Sequence, residues 1–165
     1  MTRSIFANLL RATVALGGLA AALTSLQGCA ISTPIPRLSG DSHAGQQVLL
    51  VLTTGVLHQD RRAEFDRQTG LVASSLRAQP GLIAQAIRRE VFGPRVWTLT
   101  VWKDAQALDA FTRGLAHRQA VATSMPALID MRSRRIWLPA GNVPQHWDAA
   151  LELLADDSLS KAYWQ

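Results

Sequence analysis

Leu82-Ile83-Ala84-Gln85-Ala86-Ile87-Arg88-Arg89-Glu90-Val91-Phe92, then Gly93-Pro94-Arg95, then Val96-Trp97-Thr98-Leu99-Thr100-Val101-Trp102, is the stretch whose reading decides the fold. In the first run Ile83, Gln85, Ile87, Arg89 and Val91 alternate, imperfectly, with Leu82, Ala84, Ala86, Arg88 and Glu90. Its length and apolar content predict a strand. The second run is rich in β-branched and aromatic residues, which suit a pleated, half-buried surface. Gly93-Pro94 supplies the turn, so the two runs are expected to pair as an antiparallel hairpin.

Upstream of the hairpin, Val48-Leu49-Leu50-Val51-Leu52 is a short continuous apolar run of the kind found in strands buried on both faces. Asp60 is placed to cap a following helix by accepting bonds from its first free N–H groups. Phe65, Thr69, Val72 and Leu76 recur at helical spacing, and Pro80-Gly81 ends the pattern. Downstream, Asp104 is expected to cap a second helix with Leu108, Phe111 and Leu115 as its stripe. Gly114 divides that helix, and its second piece runs through His117 to about Ser124, before Pro126. Met131 to Leu138 reads as a fourth strand, with Met131, Ser133, Arg135 and Trp137 on one face and Arg132, Arg134, Ile136 and Leu138 on the other. Asn142-Val143-Pro144 opens a short terminal helix carrying Trp147, Leu151 and Leu154, proline being well suited to a first turn. The order of elements is the split βαβ plan. Residues 48–155 are therefore expected to form one α+β domain, a ferredoxin-like βαββαβ antiparallel sheet with an added C-terminal helix. Residues 156–165 follow as a loosely ordered tail.

The front end carries a different message. Arg3 and Arg11 precede an apolar run from Ala12 to Leu26, and no acid occurs before Asp41. A basic segment, an apolar stretch of about 15 residues and a small residue before a cleavage point make up a secretory signal. The run is short for a membrane span, which needs roughly 20 apolar residues. It ends Leu26-Gln27-Gly28-Cys29, which resembles the lipobox of bacterial lipoproteins; Gln27 is the unusual member. That resemblance implies that residues 1–28 are removed, that Cys29 carries the lipid, and that the protein is anchored to a membrane. Ala30 after the cysteine favours the outer membrane by the same resemblance. Cys29 is the sole cysteine, so no disulfide within one chain supports the fold. Residues 29–47 are rich in Ser, Thr, Pro and Gly and are read as a flexible tether.

Loss of Arg3 and Arg11 with the signal leaves 15 basic against 12 acidic residues, and the formal charge falls from +5 to +3. The positive charge is scattered and not interleaved with aromatics. It fits a surface facing anionic lipid, and nucleic acid is not an expected partner. Neither a Gly-rich phosphate loop, nor paired histidines at metal spacing, nor a Cys–His pair, nor G-x-S-x-G is present. A hydrolase or nucleotide-dependent enzyme is not expected.

Val96 to Asp104, followed by Ala107-Leu108-Asp109-Ala110-Phe111 and by Ala116-His117-Arg118-Gln119-Ala120, resembles the antibiotic-biosynthesis-monooxygenase-like superfamily of dimeric α/β barrels. The resemblance spans about Val48 to Leu138. It implies a homodimer that pairs two sheets into a barrel, with a pocket between helices and sheet in each protomer. It also implies a choice of activities, since members include cofactor-free oxygenases of aromatic molecules, haem-degrading proteins and domains without a reaction. Homodimerisation would cover a sheet face that four strands leave bare.

His117 is the catalytic candidate, because a neutral imidazole can orient or deprotonate a phenolic ligand. The competing reading is structural, the ring bonded to a nearby carbonyl. Phe111, Trp97, Trp102 and Trp137 are the pocket candidates. Trp97 and Trp102 differ by an odd number and so belong to opposite sheet faces, and core filling is the commoner task of tryptophan. Arg88, Arg89, Arg132, Arg134 and Arg135 are expected on the sheet, exposed or paired with Glu90 and other acids. Three functions stay open: a membrane-anchored monooxygenase-like domain oxidising or binding a small planar apolar molecule without a cofactor, a non-catalytic ligand-binding or structural dimeric lipoprotein, and a haem protein with His117 as axial ligand.

Overall fold

The computed structural model describes residues 29–38, 43 and 45–156. The expected signal peptide and most of the C-terminal tail lie outside the described residues. The elements run β1 (Ala30–Ser32), β2 (Gln47–Leu57), α1 (Arg62–Leu76), β3 (Leu82–Glu90), β4 (Arg95–Trp102), α2 (Ala105–Arg113), α3 (Leu115–Ser124), β5 (Leu128–Pro139) and α4 (Trp147–Ala155). The sheet order is β1-β3-β4-β2-β5 and every pairing is antiparallel. The last four of these strands are the ferredoxin-like sheet anticipated from the alternation of strand and helix signals.

Register sorts the side chains. Leu50 lies between Val101 and Ile136, and Leu52 between Leu99 and Arg134. These residues, with Val48, Ala84 and Ala86, face one layer and are buried with Trp147 and Ala150 of α4 and with Ile35. Leu49 and Trp102 point to the other layer, where they pack with Leu76, Leu108 and Phe111. The sheet is therefore clothed on both faces, by α1, α2 and α3 on one side and by α4 on the other. Such a two-sided core explains the unbroken apolar run Val48–Leu52, since both sets of alternate residues are buried.

Two local signals act as expected. Asp104 accepts from the Ala107 N–H at 2.8 Å and so caps α2. Gly114 has φ −60° and ψ 144°, extended geometry that separates α2 from α3. Gly81 is demanded by its surroundings: its φ is +82°, and a Cβ there would sit 2.5 Å from that of Ala107.

Other expectations are corrected. Asp60 does not cap α1; it lies in a 3-10 turn over Gln59–Arg61, and Arg61 is the N-cap, without a side-chain bond. The stretch read as a tether is docked in its first part. Ala30–Ser32 adds a fifth, edge strand to β3, the Cys29 carbonyl accepts from the Val91 N–H at 2.8 Å, and the Thr33 carbonyl accepts from Trp147 Nε1 at 3.0 Å. Ile35 is 5% exposed. Backbone pairing and one buried isoleucine outweigh the loop-like composition. On the face where a second copy is expected, α4 covers part of the sheet, and Trp97 and Ile136 there are only partly buried.

The sheet arginines have individual partners. Arg89 reaches Asp66 at 3.1 Å, Arg132 reaches Asp130 at 3.5 Å and Arg135 reaches Asp109 at 4.0 Å. Arg88 lies 5.8 Å from the Trp97 ring centroid, and it is Arg95 that approaches Glu90, at 3.8 Å. Arg134 is buried at 8% exposure and donates to the carbonyls of Leu153 and Asp156, closing the C-terminal end of α4.

Candidate functional site

Between the sheet and the helices α1 to α3 lies a cavity of about 460 Å³, a size typical of small-molecule sites. Its floor is built from strand positions that alternate towards the helices: Thr53 on β2, Gln85 on β3, Thr98 and Thr100 on β4, and Ser133 on β5. Because side chains on a strand repeat every second residue, Thr98 and Thr100 stand side by side on one face, and register sets Thr53 beside both Thr98 and Ser133. The roof is apolar and comes from helical repeats: Val72 and Leu76 of α1, Leu108 and Phe111 of α2, and Val121 of α3. A greasy roof over a hydroxylated floor suits a flat, mostly apolar ligand with polar atoms on one side.

The floor is partly pre-bonded. Thr53 Oγ1 and Ser133 Oγ are 3.0 Å apart, Thr100 Oγ1 accepts from Trp102 Nε1 at 2.9 Å, and Gln85 Nε2 donates to the Ala73 carbonyl at 3.3 Å. These bonds fix the rotamers before any ligand arrives. Arg135 lies at the margin, half-tied to Asp109.

His117 lines the same cavity. Its ring meets the Phe111 ring edge to face, with centroids 4.6 Å apart. Nδ1 is 3.2 Å from the Thr112 carbonyl oxygen. A carbonyl can only accept, so Nδ1 must carry the proton, and in the neutral ring Nε2 is left with its lone pair. Burial lowers the pKa from its ordinary value, and the bond to Thr112 opposes that shift only in part. The neutral, Nε2-basic tautomer is thus the one favoured near neutral pH. The carbonyl bond that the structural reading expects is present, and it is also what sets the tautomer.

Of the pocket candidates, Phe111 lines the cavity and the three tryptophans do not. Trp102 is wholly buried beneath the site, 5.3 Å from Phe111 between ring centroids. Trp97 lies on the opposite sheet face, as its odd spacing from Trp102 requires, against the α4-side core. Trp137 is 53% exposed near the end of edge strand β5. The floor residues Thr53, Gln85, Thr98, Thr100 and Ser133 were not singled out by motif. Their signal is a polar residue every second position on strands otherwise apolar, which is legible only once the helix-facing side of the sheet is known. No group of His, Cys, Asp and Glu that could hold a metal occurs among the described residues.

Residues 50–123 match the antibiotic biosynthesis monooxygenase family, which takes in β2 to α3 and every helix of the cavity roof. The fold is similar to that of a conserved protein from Methanosarcina mazei Go1, with a TM-score of 0.52 at 16% identity over 56% of this chain and 93% of that one. It is also similar to a candidate antibiotic biosynthesis monooxygenase from Nitrosomonas europaea, with a TM-score of 0.51 at 13% identity over 60% of this chain and 94% of that one. A third likeness is to a candidate monooxygenase from Fusobacterium nucleatum, with a TM-score of 0.55 at 9% identity over 66% of this chain and 48% of that one. At such identities the likeness is one of fold. No curated protein matches the chain. Residues 50–123 thus match the antibiotic biosynthesis monooxygenase family, and the chain around them has an α+β, ferredoxin-like fold.

Proposed function

We propose that this chain is a lipoprotein, anchored through Cys29, whose monooxygenase-like domain binds a small planar apolar molecule bearing a hydroxyl group and draws that hydroxyl's proton onto His117 Nε2. The observation that carries the reading is the 460 Å³ cavity with an apolar roof, a hydroxylated floor and a tautomer-fixed imidazole in its wall. A neutral imidazole with a free Nε2 lone pair can act as a general base, and deprotonating a phenol or hydroquinone makes it far easier to oxidise. Anchoring in the cell envelope, with the outer membrane favoured, is supported by the lipobox and by an exposed, unpaired Cys29 thiol. Homodimerisation is supported by the resemblance alone, and it would have to use surface that α4 leaves free.

Binding is tested by titrating the purified chain with a series of hydroquinones while following tryptophan emission and O₂ uptake. Saturable binding with O₂ uptake that His117→Ala lowers by about 10²-fold or more, the span of general-base catalysis, supports the oxidising form. Saturable binding without uptake supports the non-catalytic, ligand-holding form. If no hydroquinone binds, and added haem instead gives a Soret band that His117→Ala abolishes, the ligand is haem and this reading is wrong. The anchor is tested separately by palmitate labelling, which Cys29→Ala should abolish.

A further inference from the structure

Exposed apolar side chains are unevenly distributed over the molecule. Among the described residues the exposed large hydrophobics are Ile31, Leu71, Val91, Phe92, Leu115, Val121, Met125, Ile129 and Trp137. Single exposures of this kind are normal on a soluble surface. Ile31, Val91, Phe92, Met125 and Ile129, however, gather at one end. Val91 and Phe92 form the tip of the β3–β4 hairpin, and Phe92 is 69% exposed. The Leu57 N–H donates to the Pro94 carbonyl at 3.0 Å, and Leu57 pairs with Leu128, which sets Met125 and Ile129 beside the same end of the sheet.

Cys29 belongs to that end. The β1–β3 register runs Ile31 against Arg89 and Ala30 against Glu90, so Cys29 stands opposite Val91, whose N–H its carbonyl accepts. Alternation along β1 puts Cys29 and Ile31 on one face of the edge strand. The tip itself is braced, since Arg62 donates to the carbonyls of Gly93 and Glu90 and Glu90 Oε2 accepts from the Arg95 N–H at 3.1 Å. The charged residues around it are Arg61, Arg62, Arg89, Arg95 and Arg132, against Asp60, Asp66, Glu90 and, beside Ile129, Asp130. Three of these acids are held by arginines, Asp66 by Arg89, Glu90 by Arg95 and Asp130 by Arg132.

We propose that this end of the domain, with Phe92 and Val91 at the hairpin tip, Ile31 on the strand beside it and Met125 and Ile129 at the far edge of the same end of the sheet, is a membrane-contact surface that dips into the headgroup region of the bilayer holding the Cys29 lipid. The inference rests on the lipoprotein reading above and goes beyond it, because an anchor alone leaves orientation free. The occupant is a lipid surface for two reasons. The lipidated residue is hydrogen-bonded into the patch with no leash between them, so acyl chains leaving Cys29 bring the bilayer to this end. Beside the apolar apex stand two exposed arginines, Arg61 and Arg95, whose guanidinium groups suit lipid phosphates while their alkyl stems stay among apolar groups. Exposed phenylalanine and isoleucine inserted at the interface add to what the acyl chains supply. The domain then stands with its sheet ends pointed at the membrane, and Asn142 and the β5–α4 connection face away from it.

The test uses the full chain expressed in a Gram-negative host. Once Cys29 is lipidated its thiol is blocked, so a second cysteine is the only reactive one. Phe92→Cys, Ile129→Cys and Asn142→Cys are labelled in sonicated membranes with a membrane-impermeant maleimide, while palmitate incorporation is read on the same samples. The expected result is labelling about tenfold slower at 92 and 129 than at 142, the ratio that burial of one apolar side chain sustains, with equal rates after detergent solubilisation. Adding Ile31→Asp to the Phe92→Cys chain should bring its labelling rate back towards that of Asn142→Cys. Palmitate present with equal rates at 92, 129 and 142 in membranes overturns the contact surface and leaves the lipoprotein reading standing. Palmitate absent, with Cys29 itself taking up maleimide, overturns both.

Discussion

His117 stands in the wall of the cavity, and its protonation has a thermodynamic consequence. Its pKa is lowered in the folded protein by burial, so the unfolded chain binds its proton first as pH falls. Stability then rises with pH wherever the unfolded state holds more protons than the folded one. The contribution is fully present above the ordinary histidine pKa of about 6.5 and is lost as pH falls from there through the lowered folded value. His117→Gln, which keeps a polar group beside Thr112, should flatten the fall in melting temperature of the parent chain between neutral and mildly acid pH. A parent whose melting temperature is unchanged over that interval would contradict the cause assigned to the shift. The residue was legible in the sequence as a lone histidine on a helix. Its tautomer was not, because that depends on a carbonyl five positions back, exposed to the ring only by the break at Gly114.

Strands and helices of ordinary length announced themselves by period. β3 and β4 fall within one or two residues of the alternation in Leu82–Phe92 and Val96–Trp102, and Asp104 caps α2 as its spacing implied. β1 did not, because three residues flanked by a proline-rich stretch carry no period, and a short edge strand is specified by its partner's free N–H and C=O groups. The end of α4 is another such case. Arg134 on β5 reads as one of several sheet arginines, yet it supplies the donors that the last helical carbonyls lack. Arg134→Met keeps the apolar stem and removes those donors. Its cost should be about 1.5–3 kcal/mol, the range for hydrogen bonds involving a charged group, read from denaturant midpoints. Faster amide exchange in α4 than in α1 should accompany it.

The whole molecule is a sheet covered on both faces by its own chain, and this is what periodicity could least foretell. A stripe of Trp147, Leu151 and Leu154 shows that a helix must pack somewhere; only the burial of Leu50, Leu52, Leu99 and Val101 beneath Trp147 and Ala150 shows where. The resemblance implies a second copy over the sheet, and α4 shares that face with whatever else covers it. Ending the chain at Pro139 strips α4 from the face. The truncated protein is expected to associate, visible as a rise in mass by light scattering at concentrations where the full chain gives a single lower mass. A truncated form with unchanged mass would show that α4 is dispensable as a cover.

If Cys29 is the lipidated residue proposed above, the bond from the Val91 N–H to the Cys29 carbonyl also bears on the order of events in maturation. A peptidase that cuts before Cys29 must draw the chain through its cleft in extended form. It cannot do so while the following residues are hydrogen-bonded along β3. Cleavage therefore competes with the closing of β1 onto the sheet, and a precursor that folds first hides its own processing site. On that reading, export in an unfolded state would resolve the competition in favour of the peptidase, and β1 would be laid down on the sheet only after cleavage.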